Sequence, residues 1–405
     1  MPRPTFKRLL SSASFACAVA ALSVFSGCYR THMRREFSDG GVEVDAHRPE
    51  SDAGITGPVT VACGEALVPP SAAGIVPCDL PGTGDNDGDG FANNVDCNDC
   101  VPQINRGAYD IPMNGVDEDC SGADALPCRD TVISPDDGSA RSAANALGFC
   151  ISPEGGSERE WVVAAAWQDP ASNLHTVPEM HRLADRFGTY RPHAGRRMLV
   201  LSTGLAVADA SPSGSCVAQS ISSEFPPGFP MESPACPGVE SGPVIDWVAL
   251  ALRLDVPTNA IGLRFASNFM TREYPDFLCS PFNDVYAVLM TSPSTGELQN
   301  IVFDRDGNPL TVNNALLRTC VDRGPLRCEL GDAPLRGTIT TSCQDGSEDS
   351  VGGGTDCVQT TAPVVPGSRI TMSFMIWDSG DGELDSVALV DGFEWVLAPF
   401  EVRAP

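Results

Sequence analysis

The stretch Val248–Val256 constrains this chain more than any other: Val248, Leu250, Leu252, Leu254 and Val256 alternate with Ala249, Ala251, Arg253 and Asp255. A period of two lines up side chains on one face of a strand, whereas a helix would scatter the same residues around its circumference. Ile261, Leu263 and Phe265 repeat the pattern, and Val285–Met290, Ile301–Asp304, Ile370–Trp377 and Val387–Val396 read as further strands. Asp306-Gly307 has the composition of a hairpin turn. Strands with one apolar face must bury it against a second layer. Residues 128–405 are therefore expected to form a mainly β domain, an antiparallel β-sandwich. Short helices are expected only at Ala140–Phe149 and around Glu179–Phe187.

Residues 61–127 have the opposite character. Between 82 and 124, Asp, Asn and Gly crowd out core-forming residues, so this small irregular module has to be held by ligands and disulfides. The run Asp85-Asn86-Asp87-Gly88-Asp89-Gly90-Phe91-Ala92-Asn93-Asn94-Val95-Asp96 carries oxygen side chains at loop positions 1, 3, 5, 9 and 12, with glycine at 6. That is the spacing of a calcium loop: alternate short carboxylates converge on one hard cation, and the Phe91 carbonyl supplies the ligand at position 7. Asp96 stands where a bidentate Glu is usual, so affinity is expected in the extracellular range of about 10⁻⁴ to 10⁻³ M. Pro81-Gly82 before the loop and Cys97 and Cys100 after it leave no room for the flanking helices of an EF-hand. The bland alternative is an acidic, disulfide-held linker that binds nothing tightly.

Together with Asp96-Cys97-Asn98-Asp99-Cys100 and Asn114-Gly115-Val116-Asp117-Glu118-Asp119-Cys120-Ser121-Gly122, this loop resembles the bacterial metal-binding-motif module and, more loosely, thrombospondin type 3 repeats. The resemblance implies Asp85, Asp87, Asp89 and Asp96 as cation ligands, Asp117 and Asp119 in a second acidic turn, and cysteines bridging the turns.

The amino terminus reads as an address. Arg3, Lys7 and Arg8 precede an apolar, small-residue run from Leu9 to Phe25, which falls short of the roughly 20 residues that span a bilayer and has the layout of a removable signal. Phe25-Ser26-Gly27-Cys28 resembles a lipobox, which implies cleavage after residue 27 and an acylated Cys28 that anchors the chain in a membrane; the competing reading is an ordinary signal with an incidental cysteine. Tyr29 after the cysteine favours the outer membrane or cell surface over the inner membrane. Residues 28–60 are polar and lack apolar period, as a flexible tether does.

Sixteen cysteines, of which Cys17 and Cys28 belong to the leader and anchor, leave an even fourteen, and outside the cell that argues for disulfides. Sequence neighbours suggest the pairs Cys63 with Cys78, Cys128 with Cys150, Cys216 with Cys236 and Cys343 with Cys357. Cys97 and Cys100 have CxxC spacing, but no second pair or nearby His completes a zinc site.

Net charge −27, with Lys7 the sole lysine, would repel phosphate-rich partners, so no nucleic-acid binding is expected. No nucleophile elbow, phosphate loop or dinucleotide fingerprint is present, and His175, His181 and His193 lack metalloprotease spacing. No catalytic constellation is assigned.

Phe265-Ala266-Ser267-Asn268-Phe269-Met270-Thr271-Arg272-Glu273-Tyr274-Pro275-Asp276-Phe277, then Phe282-Asn283-Asp284-Val285-Tyr286, form a second distinctive run. With Arg196–Gly204, Val312-Asn313-Asn314 and Asp378–Leu389, they make residues 128–403 resemble the choice-of-anchor L domain of bacterial surface proteins. Glu273, Asn283, Asp284, Asp378 and Asp385 all fall where strands are expected to end, where they either converge on a second cation or organise loops. The expected function is that of a lipid-anchored surface protein, structural or adhesive, with calcium stiffening a stalk and an unknown surface protein or glycan as partner. The alternatives are a carbohydrate-binding sandwich using Trp161, Trp167, Trp377 and Trp395, or a glycan hydrolase working through paired carboxylates.

Overall fold

A computed structural model describes residues 57–401 apart from 65–66, 76–77, 79–82, 127–137, 150–160, 169–179, 208–221, 292, 294–297, 305, 315–316, 321, 323–327 and 339–351. The signal, Cys28, most of the tether and the Cys128–Cys150 pair lie outside the described residues. The strands in chain order are β1 (Val59–Ala62), β2 (Val162–Gln168), β3 (His181–Ala184), β4 (Met198–Ser202), β5 (Ser222–Ser223), β6 (Val244–Asp255), β7 (Ala260–Thr271) and β8 (Val285–Thr291). They continue with β9 (Gln299–Asn300), β10 (Leu310–Thr311), β11 (Leu317–Cys320), β12 (Gly353–Thr355), β13 (Val358–Pro363), β14 (Arg369–Ser379) and β15 (Ser386–Leu397).

These strands make two antiparallel sheets. The first runs β1-β13-β7-β15-β4-β3, with β12 bridging β7 and β11; the second runs β10-β8-β14-β6-β2, with β5 on β6 and β9 on β8. The alternation in the sequence decides which side chains face which way. Val248, Leu250, Leu252 and Leu254 of β6, Ile370, Met372, Phe374 and Ile376 of β14, and Tyr286, Val288 and Met290 of β8 enter the central core. Leu263, Phe265 and Phe269 of β7 meet them from the other sheet, and Phe265 packs edge-on against Phe374. Ser267 sits inward in the same register and hydrogen-bonds Tyr286 Oη at 3.0 Å across the sandwich. The opposite faces are not bare: Ala249, Val285, Leu289, Met375 and Trp377 are covered by Phe225 and Phe229.

The helix α1 (Ala140–Ala144) starts where Ser139 Oγ accepts the Ser142 N–H at 3.1 Å and widens into a π-helical turn through Phe149. Two other expectations fail. The described part of Glu179–Phe187 forms strand β3, because His181–Ala184 pairs with β4 and His181 stacks on Trp167. Ile301–Asp304 forms no strand: Ile301 N still donates to Val288 O on β8 at 2.9 Å, but Asn300 Oδ1 accepts from Val302 N and its Nδ2 donates to Val302 O at 2.9 Å, which curls the backbone. Asp306-Gly307 does form a tight turn, with Gly307 at φ 83 and Phe303 bridged to Pro309.

Among the described residues, three disulfides skip over intervening cysteines and two join consecutive ones. Cys63 pairs with Cys357, Cys78 with Cys100, Cys97 with Cys120, Cys236 with Cys279 and Cys320 with Cys328. The expected pairs Cys63–Cys78, Cys216–Cys236 and Cys343–Cys357 are thereby excluded. Sheet register supplies the reason for the longest link: β1 lies beside β13 with Ala62 opposite Val358, which brings Cys63 to Cys357. Since β1 joins the sandwich before residue 63, the acidic segment does not stand between the chain that precedes β1 and the sandwich. Tyr109 and Asn259 exchange hydrogen bonds of 2.8 and 2.9 Å, and Thr258 N donates to Gly107 O at 2.9 Å, so the segment docks on the turn between β6 and β7.

Candidate cation sites

In the acidic loop, Gly88 and Gly90 take positive φ of 80 and 95, and their N–H groups both donate to the Asp85 carboxylate, at 2.7 and 3.0 Å. That ties the loop into a tight turn. Asp87 and Asp89 then accept from the next alternate N–H groups, Asp89 and Phe91, at 3.2 and 2.7 Å. With the turn closed in this way, carboxylate oxygens of Asp87, Asp89 and Asp96 come within 4.8 Å of one another, as do those of Asp85, Asp87 and Asp99. Asp96 Oδ1 accepts from Asn98 N at 2.8 Å, while its buried Oδ2 has no hydrogen-bond partner.

Burial, reinforced by Asp89, pushes Asp87 up to about 6, and burial pushes Asp96 up to about 7. Asp89 is raised as well, again chiefly by burial. Converging carboxylates that resist ionisation are what a bound divalent cation would relieve. Phe91 and Asn93 contribute through the main chain, Phe91 N to Asp89 and Asn93 N to Gly84 O at 3.0 Å. Asp99 was not among the expected ligands; it also fixes Asn86, accepting its N–H at 2.8 Å and its side-chain amide.

Asp117 and Asp119 meet Asp110, a residue the sequence pattern did not single out, with oxygens within 4.8 Å of one another. Asp117 accepts from the N–H groups of Ser121 and Gly122 at 2.9 and 2.8 Å, and burial raises both Asp110 and Asp119. The Cys97–Cys120 bridge joins the two acidic turns, and Cys100 goes instead to Cys78, so the CxxC pair is split between two disulfides. Asn105 connects everything nearby. Its Nδ2 donates to Asp89 at 2.8 Å, its N–H to Glu118 O at 2.8 Å, and its Oδ1 accepts from Thr258 Oγ1 at 2.7 Å.

A separate set of acids lies inside the sandwich. Glu273, Asp284, Asp378 and Asp385 are each at most 1% exposed. Asp284 accepts from Ser379 N at 3.1 Å and from Ser386 Oγ at 2.5 Å. Burial raises all four: Asp385 up to about 7, despite the opposing pull of Arg272, and Asp378 well above the usual carboxylate range, with Asp284 adding to it. Asn283 plays a different part. Its Oδ1 accepts from Asn313 N at 3.0 Å and its Nδ2 donates to Ser241 Oγ at 3.4 Å, which organises loops. Asp246, missed in the sequence, joins this set from β6, where a bulge opposite Ile376–Asp378 of β14 and a left-handed φ of 46 turn it out of regular strand geometry.

Of the four tryptophans that suggested a glycan platform, Trp161, Trp377 and Trp395 are buried; Trp167 is half-buried, stacked on His181 and bonded through Nε1 to Gly138 O. Among the described residues, no helix is long and apolar enough to cross a membrane. No family model, no curated protein and no solved structure matches this chain.

Proposed function

We propose that this chain is a lipid-anchored, calcium-stabilised cell-surface protein of the bacterial envelope, in which calcium held by the acidic loop fixes that loop against a choice-of-anchor L-like sandwich with a structural, adhesive or ligand-binding role. The observation that carries the reading is the convergence of Asp87, Asp89 and Asp96 within 4.8 Å, with Asp96 Oδ2 buried and unbonded. Three carboxylates offer a hard, all-oxygen donor set, which suits calcium over zinc or copper. The even cysteine count and the observed disulfides agree with an oxidising, extracytoplasmic setting. Cys28 would supply the membrane attachment.

Calcium titration calorimetry on the disulfide-intact chain tests the metal, with Asp87→Asn/Asp96→Asn as the comparison. Saturable heat at millimolar calcium or below, lost in the double variant, is the expected result; no heat from the wild-type chain would sink the reading. Labelled palmitate tests the anchor and should enter the protein through Cys28 alone. A carbohydrate-binding role has lost three of its four tryptophans to burial, and a glycan array on the folded ectodomain separates it from adhesion to a protein.

A further inference from the structure

The acids inside the sandwich stand where the chain twice crosses between sheets. Residues 272–284 carry it from β7 in the first sheet to β8 in the second, and residues 380–385 carry it back from β14 to β15. Glu273 opens the first crossing and Asp284 closes it; Asp378 precedes the second and Asp385 closes it. The two crossings are stitched together, since Arg272 N donates to Asp385 O at 3.2 Å and Asp284 holds both Ser379 N and Ser386 Oγ.

Asp284 is thus supplied with donors, and Asp378 is not. Among the described residues, no hydrogen-bond donor reaches either oxygen of Asp378, a side chain 1% exposed, and Glu273 Oε2 and Asp385 Oδ2 are likewise buried without one. Asp378 acts electrostatically on Asp284, Glu273 and Asp385 together, so the unpartnered oxygens belong to one cluster. Removing a carboxylate from water without a compensating partner costs several kcal/mol. Arg272, 3% exposed, acts on Asp385 but is one cation facing four buried acids. The space around Asp385 is shaped closely: a Cβ on Gly204 would overlap its carboxylate.

We infer that Asp378, with Glu273, Asp284 and Asp385, binds a divalent cation that clasps the two sheets where both crossings meet. An all-carboxylate, buried donor set points to calcium; magnesium keeps several of its waters, and zinc favours nitrogen and sulfur ligands. The site is independent of the acidic loop. The competing arrangement is a proton shared between Asp284 and Asp378, which would need no metal.

The test uses the full disulfide-intact chain, with calcium as the probe, in the Asp87→Asn/Asp96→Asn background so that the loop is silenced. Adding Asp378→Asn should remove about one calcium equivalent per chain by atomic emission. It should also lower Tm in calcium while leaving Tm unchanged or raised in chelator, where one unpaired buried charge has been removed. Unchanged calcium content in a folded chain, or equal loss of Tm in calcium and in chelator, overturns the inference and favours the shared proton. If Asp378→Asn does not fold, Glu273→Gln is read the same way. If neither folds, anomalous diffraction from wild-type crystals soaked in terbium decides, a peak among the four carboxylates supporting the site and its absence overturning it. A loop variant that keeps about one calcium equivalent separates this site from the loop, and a loop variant that keeps none overturns the inference.

Discussion

Asn105 donates from Nδ2 to Asp89 at 2.8 Å while its own Oδ1 receives the Thr258 hydroxyl at 2.7 Å, so one fully buried amide joins the acidic loop to the turn between β6 and β7. Its main-chain N–H reaches the second acidic turn through Glu118 O at 2.8 Å. Asn105→Ala removes the side-chain bonds to half-buried Asp89 and Thr258 while keeping the main-chain bond to Glu118 O, and should cost about 1–3 kcal/mol. The loss should be larger in calcium than in chelator, because Asp89 loses the group that orients it. Thermal melts under both conditions check this; equal losses would reduce Asn105 to a packing residue.

The raised acids set the direction of the pH dependence. Asp87, Asp96 and Asp385 have folded values of about 6 to 7, above the ordinary unfolded carboxylate range of about 4. A raised carboxyl contributes stability that is fully present below the unfolded value and lost as pH rises through the folded one. In chelator, Tm should therefore fall between about pH 4 and pH 7. On the proposed calcium reading, the ion competes with protons for the same oxygens, so its stabilising effect should grow over that interval. Calorimetry at several pH values with and without calcium measures it, and a calcium effect independent of pH would contradict the assignment.

Gly107 lies at a close approach between the acidic segment and the sandwich. A Cβ there would lie 2.6 Å from Thr258 Cγ2 and 3.2 Å from Phe91 Cζ. Gly107→Ala should push the two apart at a cost of about 1–3 kcal/mol. Hydrogen exchange should rise at Thr258, whose N–H donates to Gly107 O, and at Tyr109, with little change in β14. Uniform deprotection instead would mean global destabilisation.

Non-reduced peptide mapping should recover Cys63 linked to Cys357 and Cys97 linked to Cys120. Recovery of Cys63–Cys78 would contradict the β1–β13 pairing. Because the Cys63–Cys357 link spans 294 residues, Cys63→Ser/Cys357→Ser should destabilise by about 5 kcal/mol in the chain-entropy limit.

The long strands were legible because alternation is a local signal: Val248–Val256 runs through β6 and one residue beyond it. Ile301–Asp304 was misread because a single Asn300 amide outcompetes the ladder, which apolar patterning does not register. The expected pair Cys63–Cys78 failed for a different reason, since register between strands some 300 positions apart brings Cys63 to Cys357. In the acidic loop, spacing alone located Asp87, Asp89 and Asp96, as the local turn brings alternate residues together. Asp99 and Asp110 reach their partners only through backbone reversals, and Asp246 only through a bulge in β6 that nothing in Val244–Asp255 announces.

β1 and the Cys63–Cys357 bond precede the acidic loops in the chain and fasten to the sheet before those loops begin. A pull arriving from the amino-terminal side would be taken up by four paired strand residues and one covalent link. The loops past Cys63 would stay out of the line of force. Metal occupancy there would then alter the shape of the surface displayed without changing how far the protein extends under load.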